Sequence, residues 1–195
     1  MKVLTSTQDL LLTALKNEAR QNKFRQPISL FEGLEMVDVP FVSTPEHVAR
    51  RMLELAKVCP GDVVYDLGAG DGRIIIMAAK EFGAKAVGVE IRRDLYEQIL
   101  KRIKLDGLEG KVRVINGDFF QVDISEASVV TLYLLTTVNE KLRPKLEREL
   151  RAGARVVSHD FEVPGWKPIR VESVRDYWCD HKIYVYEIGV STPKK

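Results

Sequence analysis

From Val63 onward the chain alternates short apolar runs with amphipathic segments, and this alternation restricts the fold more than any other feature. "VVYDL", "AVGVE", "VRVINGD", "SVVTLYLL" and "ARVVSHDF" read as strands, while "GRIIIMAAKEF", "RRDLYEQILKRIKLDG" and "VNEKLRPKLEREL" read as helices. Near-continuous apolar strands separated by helices predict a mainly parallel sheet covered on both faces. "IRVESV" and "HKIYVYEI" follow with no helix between them and predict an antiparallel edge. The expected class is therefore α/β, built on a seven-stranded sheet. Pro144 is expected near the first turns of its helix. Upstream, Thr44 and Pro45 read as an N-cap and first helical residue of a helix reaching about Lys57. Its Val48, Met52, Leu55 and Ala56 share one face. A further amphipathic helix, with Leu11, Leu12 and Leu15 on one side, is expected from Thr7 to about Lys23. The predicted division is a helical extension and arm over 1–40 and one ligand-binding domain over 41–195.

Composition narrows the partners. A chain of 195 residues suits one sizeable core. A formal charge of +2, with acids and bases interleaved, gives no global field that would draw a nucleic acid. Two cysteines, Cys59 and Cys179, show neither disulfide nor metal-ligand spacing, so no metal and a reducing cytoplasm are expected. No apolar run approaches the roughly 20 residues that span a bilayer, and the N-terminus lacks a secretory pattern. Asn and Gln are sparse beside Glu, Lys and Arg, a bias of thermophiles.

The stretch "VVYDLGAGDGRI", Val63 to Ile74, carries the chemistry. In such a fold, ligands bind beyond the carboxyl ends of the strands at the point where strand order reverses. Gly68, Gly70 and Gly72 are spaced G-x-G-x-G, and Arg73 stands where a dinucleotide fingerprint has its third glycine. Charge decides further. Asp71 at the helix N-terminus and Asp66 two residues before the loop would repel a diphosphate and attract a cation. No Walker lysine is present. A nucleoside carrying positive charge and no phosphate is expected, and S-adenosylmethionine fits. Glu90, ending the second strand, is placed to accept from ribose hydroxyls, with Ile91 beside it. Asp118, ending the third, is placed to accept from the adenine amino group, and Phe119 to pack on the purine. Structural readings stand beside these: Asp66 as a helix cap, Glu90 as a solvated strand end, Asp118 as an Asx-turn.

From about Asp38 to Trp166 the chain resembles the class I S-adenosylmethionine-dependent methyltransferases. "VPFVSTPEHVARRML", "YDLGAGDGRI", "LYLLTTVNEKLRPKLERELRAGARVVSHDF" and "PGW" resemble the small archaeal protein-lysine methyltransferases, relatives of animal mitochondrial lysine methyltransferases. The segment before Gln26 departs from the short archaeal pattern. The resemblance implies a Rossmann-like methyltransferase fold and methyl transfer to lysine amines on proteins with exposed lysines. It also implies a loop of Phe41, Val42, Ser43 and Thr44 that closes over the cofactor, beside the contacts expected from Asp66, Gly68, Ala69, Gly70 and Asp71.

The fourth strand ends in "TLYLLTT" rather than the Asp/Asn-Pro-Pro-aromatic turn of adenine and amide N-methyltransferases, so a nucleic-acid base is not the expected acceptor. Tyr133 is the candidate catalytic residue, orienting the incoming amine in a channel lined with Phe41 and Val42. Core packing is the structural reading of both aromatics. His159, beside Asp160, is read as a strand-end histidine bonded to backbone rather than as a proton relay, His47 as solvated, and Trp166 as either a groove or an edge residue. A small-molecule or RNA methyltransferase, and a non-catalytic cofactor-binding module, remain the alternatives; a monomer is expected.

Overall fold

The computed structural model describes residues 42–175 and 180–192. The helix expected at Thr7–Lys23 and channel residue Phe41 lie outside the described residues. Within Ser43–Lys195, the described elements run α1 (Glu46–Leu55), β1 (Val63–Leu67), α2 (Arg73–Glu81), β2 (Lys85–Glu90), α3 (Arg93–Leu105), β3 (Val112–Asn116), β4 (Val129–Leu132), α4 (Thr136–Glu149), β5 (Arg155–His159), β6 (Arg170–Arg175) and β7 (Asp180–Glu187).

Among the described residues the seven strands form one sheet in the order β3-β2-β1-β4-β5-β7-β6. The first five are mutually parallel, and β7 runs antiparallel to both β5 and β6. The expected closing pair is therefore present, with the last strand inserted between β5 and β6. Chain order reverses between β1 and β4, which opens the crevice at their carboxyl ends.

Burial follows the strand period. Val64, Ala86, Val112, Val129 and Val157 join one apolar cluster with α1, α2 and α3 residues, among them Met52, Ile75 and Ile99. Tyr65, Leu67, Val130, Leu132 and Val156 are buried on the alternate face. Leu142 and Leu146 of α4 are buried outside that first cluster and cover this second face. Helix α2 is buried from Ile74 through Ala79, which explains its unbroken apolar run. Lys57 ends α1 in the left-handed region at φ 52°, with the Val58 N–H donating back to the Leu53 carbonyl at 3.0 Å.

Two local expectations are corrected. Thr44 does not cap α1: Pro45 occupies the N-cap and no side-chain cap bond forms. The Thr44 hydroxyl is taken by a partner from β5 instead. Pro144 lies deep inside α4, not near its start. The helix tolerates it because Pro144 and Glu140, whose carbonyl loses the N–H four residues on, both face solvent.

At the amino ends of the strands Asp62 fastens the sheet. It pairs with Arg155 and accepts from the Ser128 hydroxyl at 2.7 Å and the Cys59 N–H at 2.9 Å. Chemistry is thereby left to the opposite ends.

Candidate cofactor and substrate site

The glycine loop leaves β1 and is moulded onto β2. Gly68 and Ala69 N–H both donate to the Val89 carbonyl, at 2.9 and 3.0 Å. Gly70 N–H donates to Glu90 Oε2 at 2.8 Å. Gly72 N–H donates to the Ala69 carbonyl at 2.8 Å. Gly68, Gly70 and Gly72 have φ of 86°, 56° and 77°, backbone that side chains resist, so the spacing encodes the turn itself. The donors that a pyrophosphate would need are already engaged, which agrees with the charge argument against a dinucleotide.

Three acids line the carboxyl ends of β1 to β3. Asp66 is 4% exposed, and its Oδ1 accepts from the Thr131 hydroxyl at 2.7 Å, across the β1–β4 pairing that sets those residues opposite each other. Burial, opposed by that hydroxyl and reinforced by the charges of Glu90 and Asp71, pushes the Asp66 carboxyl up to about 7. Glu90 is 6% exposed, and both its oxygens serve the backbone: Oε2 takes Gly70 N–H and Oε1 takes Arg92 N–H at 2.9 Å. Each oxygen keeps a second lone-pair site for a ligand hydroxyl. Asp118 Oδ1 accepts Phe120 N–H at 2.8 Å, the Asx-turn geometry. Asn116 donates to the carbonyls of Glu90 and Ile91 at 2.9 and 3.1 Å, locking the β2 end to the β3 end. Phe119 is buried with its ring centroid 4.9 Å from that of Phe120, and Phe120 presents the more open ring.

Asp71 is held by Arg73, which meets both its oxygens at 2.9–3.1 Å through Nε. Burial works against the Asp71 charge, but the Arg73 guanidinium outweighs it and leaves the carboxyl below its usual range. Arg73 Nη1 also donates to the Thr44 carbonyl at 2.6 Å. A cation in the first turn of a helix opposes the dipole, so a nearby carboxylate is required; that was the available signal for this residue, which sequence reasoning missed.

Thr44 is buried, and its Oγ1 lies 3.1 Å from His159 Nδ1. Val42 is 39% exposed. His159 is fully buried, and the Tyr133 ring stacks on it at 3.9 Å with 30° between planes. Burial, helped by neighbouring His181, lowers the His159 pKa to about 3, so the imidazole beneath Tyr133 is neutral. The expected backbone partner of His159 is thus replaced by side chains. Tyr133 is half-buried and also approaches Phe161, at 5.9 Å. A Cβ on Gly68 would lie 3.4 Å from Leu134, so the glycine loop and the loop after β4 touch. Asp71, Arg73, Thr44, His159 and Tyr133 therefore form one contact chain around the crevice. Trp166 is buried between α4 and β7: it donates to Glu147 at 2.7 Å and packs edge-on against Tyr186. His47 is exposed.

Residues 66–170 match the ANTKMT methyltransferase domain. The chain is 57% identical over 152 residues to a protein-lysine N-methyltransferase of Saccharolobus islandicus (strain REY15A), covering 77% of this chain and 94% of that protein. It is 34% identical over 158 residues to the adenine nucleotide translocase lysine N-methyltransferase of Mus musculus, covering 80% of this chain and 66% of that one. Among solved structures, an RNA methyltransferase from Salinibacter ruber in complex with S-adenosyl-L-homocysteine superposes with a TM-score of 0.73 at 48% identity, covering 79% of this chain and 98% of that chain. The loop and strand-end acids described above lie inside the matched stretch, and the chain belongs to the ANTKMT methyltransferase domain family.

Proposed function

We propose that this protein transfers methyl groups from S-adenosylmethionine to lysine side-chain amines of proteins. The observation that carries the reading is the 57% identity, across nearly the whole length of that relative, to a protein-lysine N-methyltransferase. The site fits the methyl donor on its own chemistry. A buried carboxylate at the switch point suits an ammonium, and the loop offers no open cradle for phosphate.

Bound S-adenosylmethionine supplies a methyl carbon on a sulfonium, which departs as a neutral thioether when the lysine nitrogen lone pair takes the methyl. The chain's own residues bind, orient and exclude water. Asp66 takes the ammonium end, with Thr131 holding its carboxylate. Glu90 accepts from the ribose hydroxyls while fixing Gly70. Asp118 accepts from the adenine amino group, and Phe119 with Phe120 borders the purine. Gly68, Ala69, Gly70, Asp71 and Ile91 shape the walls, and Thr44 borders the mouth.

The substrate amine starts near pKa 10.4 and must arrive neutral. An apolar channel and a neighbouring sulfonium both lower that value. Tyr133 orients the nitrogen at the end of β4. His159 stacks beneath its ring and holds it in place. The amine gives up one proton to water before transfer, and the methylated nitrogen carries the positive charge afterwards, so the chemistry calls for no dedicated base.

The name of the Salinibacter relative supports a second reading, RNA as acceptor. Against it stand the "TLYLLTT" end of β4 and the formal charge of +2. Incubation with radiolabelled S-adenosylmethionine and a whole-cell extract separates the two. Label in protein, released on hydrolysis as methylated lysine, supports the lysine reading. Label confined to RNA overturns it.

Among the described residues no helix is long and apolar enough to cross a membrane. We take the protein to act as a cytoplasmic monomer, with residues 1–40 an extension outside the chemistry and 41–195 the methyltransferase domain. Deleting residues 1–25 should leave cofactor affinity unchanged by calorimetry; a large loss would assign that segment to the cofactor site.

A further inference from the structure

The end of β5 carries a cluster that methyl transfer does not use directly. His159 Nε2, Asp160 Oδ2 and His181 Nδ1 form a triangle with sides of 2.9, 3.1 and 3.2 Å. All three side chains are almost wholly buried. We propose that these three atoms are the protein ligands of one divalent transition-metal ion.

Spacing supports the assignment. Metal bonds of about 2.1 Å put adjacent ligands about 3.0 Å apart around a six-coordinate ion and about 3.4 Å apart around a tetrahedral one. The observed triangle matches one face of the six-coordinate arrangement. Two imidazoles and a carboxylate on one face are the donor set of first-row divalent ions.

Two imidazole nitrogens and one carboxylate oxygen crowd within 3.2 Å of one another, and a shared cation serves all three at once.

Outer partners are also in place. The other ring nitrogen of His159 meets the Thr44 hydroxyl at 3.1 Å, the kind of contact that fixes a ligating imidazole. The other oxygen of Asp160 accepts the Lys182 N–H at 2.8 Å. Asp160 adopts φ 59°, a conformation aspartate tolerates at some cost, and that turn directs its carboxylate back between the two histidines. The ion would join β5 to β7 and, through His159, steady the loop that carries Thr44.

The test uses the tag-free full-length protein, stripped with a chelator and titrated separately with Zn²⁺ and Co²⁺. One ion per chain is expected, with an X-ray absorption shell of two imidazole nitrogens and at least one oxygen near 2.1 Å. His181→Ala and Asp160→Asn should each lose at least about 100-fold in affinity. His47→Ala, the third histidine of the chain and an exposed one, should bind as the wild type does. Wild-type protein that takes up neither ion at about 0.1 mM overturns the proposal and leaves a hydrogen-bonded triad only. Uptake that survives in His181→Ala and Asp160→Asn overturns it as well. If either variant fails to fold, the wild-type absorption spectrum decides, and a shell without imidazole rejects the site. Cofactor binding is measured in parallel, so failure here leaves the methyltransferase reading standing.

Discussion

Cofactor binding should be coupled to the ionisation of Asp66. Its carboxyl, pushed up to about 7 mainly by burial, is largely protonated in mildly acidic solution. Only the ionised form attracts the ligand ammonium. With a pKa of about 7, roughly half the chains are competent at about pH 7.0 and about 3% at about pH 5.5, and apparent affinity scales with that fraction. Calorimetry with S-adenosylhomocysteine should therefore show affinity falling on the order of 10-fold across that window. The ligand's own α-amino group stays mostly protonated across that window. Titration at about pH 7.0 in buffers of different ionisation enthalpy should detect about half a proton released per site. Asp66→Asn should abolish both effects. The same linkage acts on stability with the sign of a raised carboxyl. Asp66 favours the ligand-free fold below about pH 4 and loses that contribution as pH rises through 7, up to about 4 kcal/mol. Ligand-free Asp66→Asn should thus melt higher than wild type above pH 7. Affinity constant to within about twofold between the two pH values, with no proton release, would refute the assignment of Asp66 as the ammonium partner.

Glu90→Ala should weaken cofactor binding by about 1.5–3 kcal/mol, because a charged acceptor of Gly70 and Arg92 N–H is lost with any ribose contact; calorimetry measures this, and unchanged affinity would move the ribose elsewhere. Tyr133→Phe should lower turnover about 3- to 10-fold with cofactor affinity unchanged, the pattern of a contact made in the transition state, read by steady-state kinetics on a methyl-accepting protein. Gly88→Ala should cost about 1–3 kcal/mol in urea unfolding and also weaken cofactor binding. The added Cβ would sit 2.8 Å from both the Ala69 Cβ and Ile75 Cδ1, and Ala69 belongs to the loop.

The sheet was legible because burial on both faces writes itself as apolar runs, and the glycines were legible because their backbone angles admit little else. The pairings between distant side chains were not. Thr44 looked like a cap because Thr-Pro is a cap pattern at short range, yet its hydroxyl answers His159, 115 residues away. The pairing of Asp71 with Arg73 went unread because its one signal, a cation in the first turn of α2, lies outside any apolar periodicity. The alternatives for Glu90 and Asp118 also proved less exclusive than they looked. Glu90 is a buried backbone anchor rather than a solvated strand end, and Asp118 does form its Asx-turn, each with acceptor capacity left over. Pro144 was misplaced because a helix can run through proline where the orphaned carbonyl faces solvent.

The moulding of the loop onto β2 bears on redesign. Gly68 and Ala69 share one carbonyl of Val89, and Gly70 is tied to the last side chain of the same strand. Replacing Arg73 with glycine would complete a dinucleotide-like spelling without freeing a single one of these N–H groups. An engineer seeking a phosphate-bearing cofactor would have to re-register β2 against β1, disturbing the pairs from Val63–Lys85 to Leu67–Val89 at the centre of the sheet. Cofactor choice in this chain is thus a property of two adjacent strands, and edits confined to the turn between β1 and α2 should yield proteins that lose one ligand without gaining another.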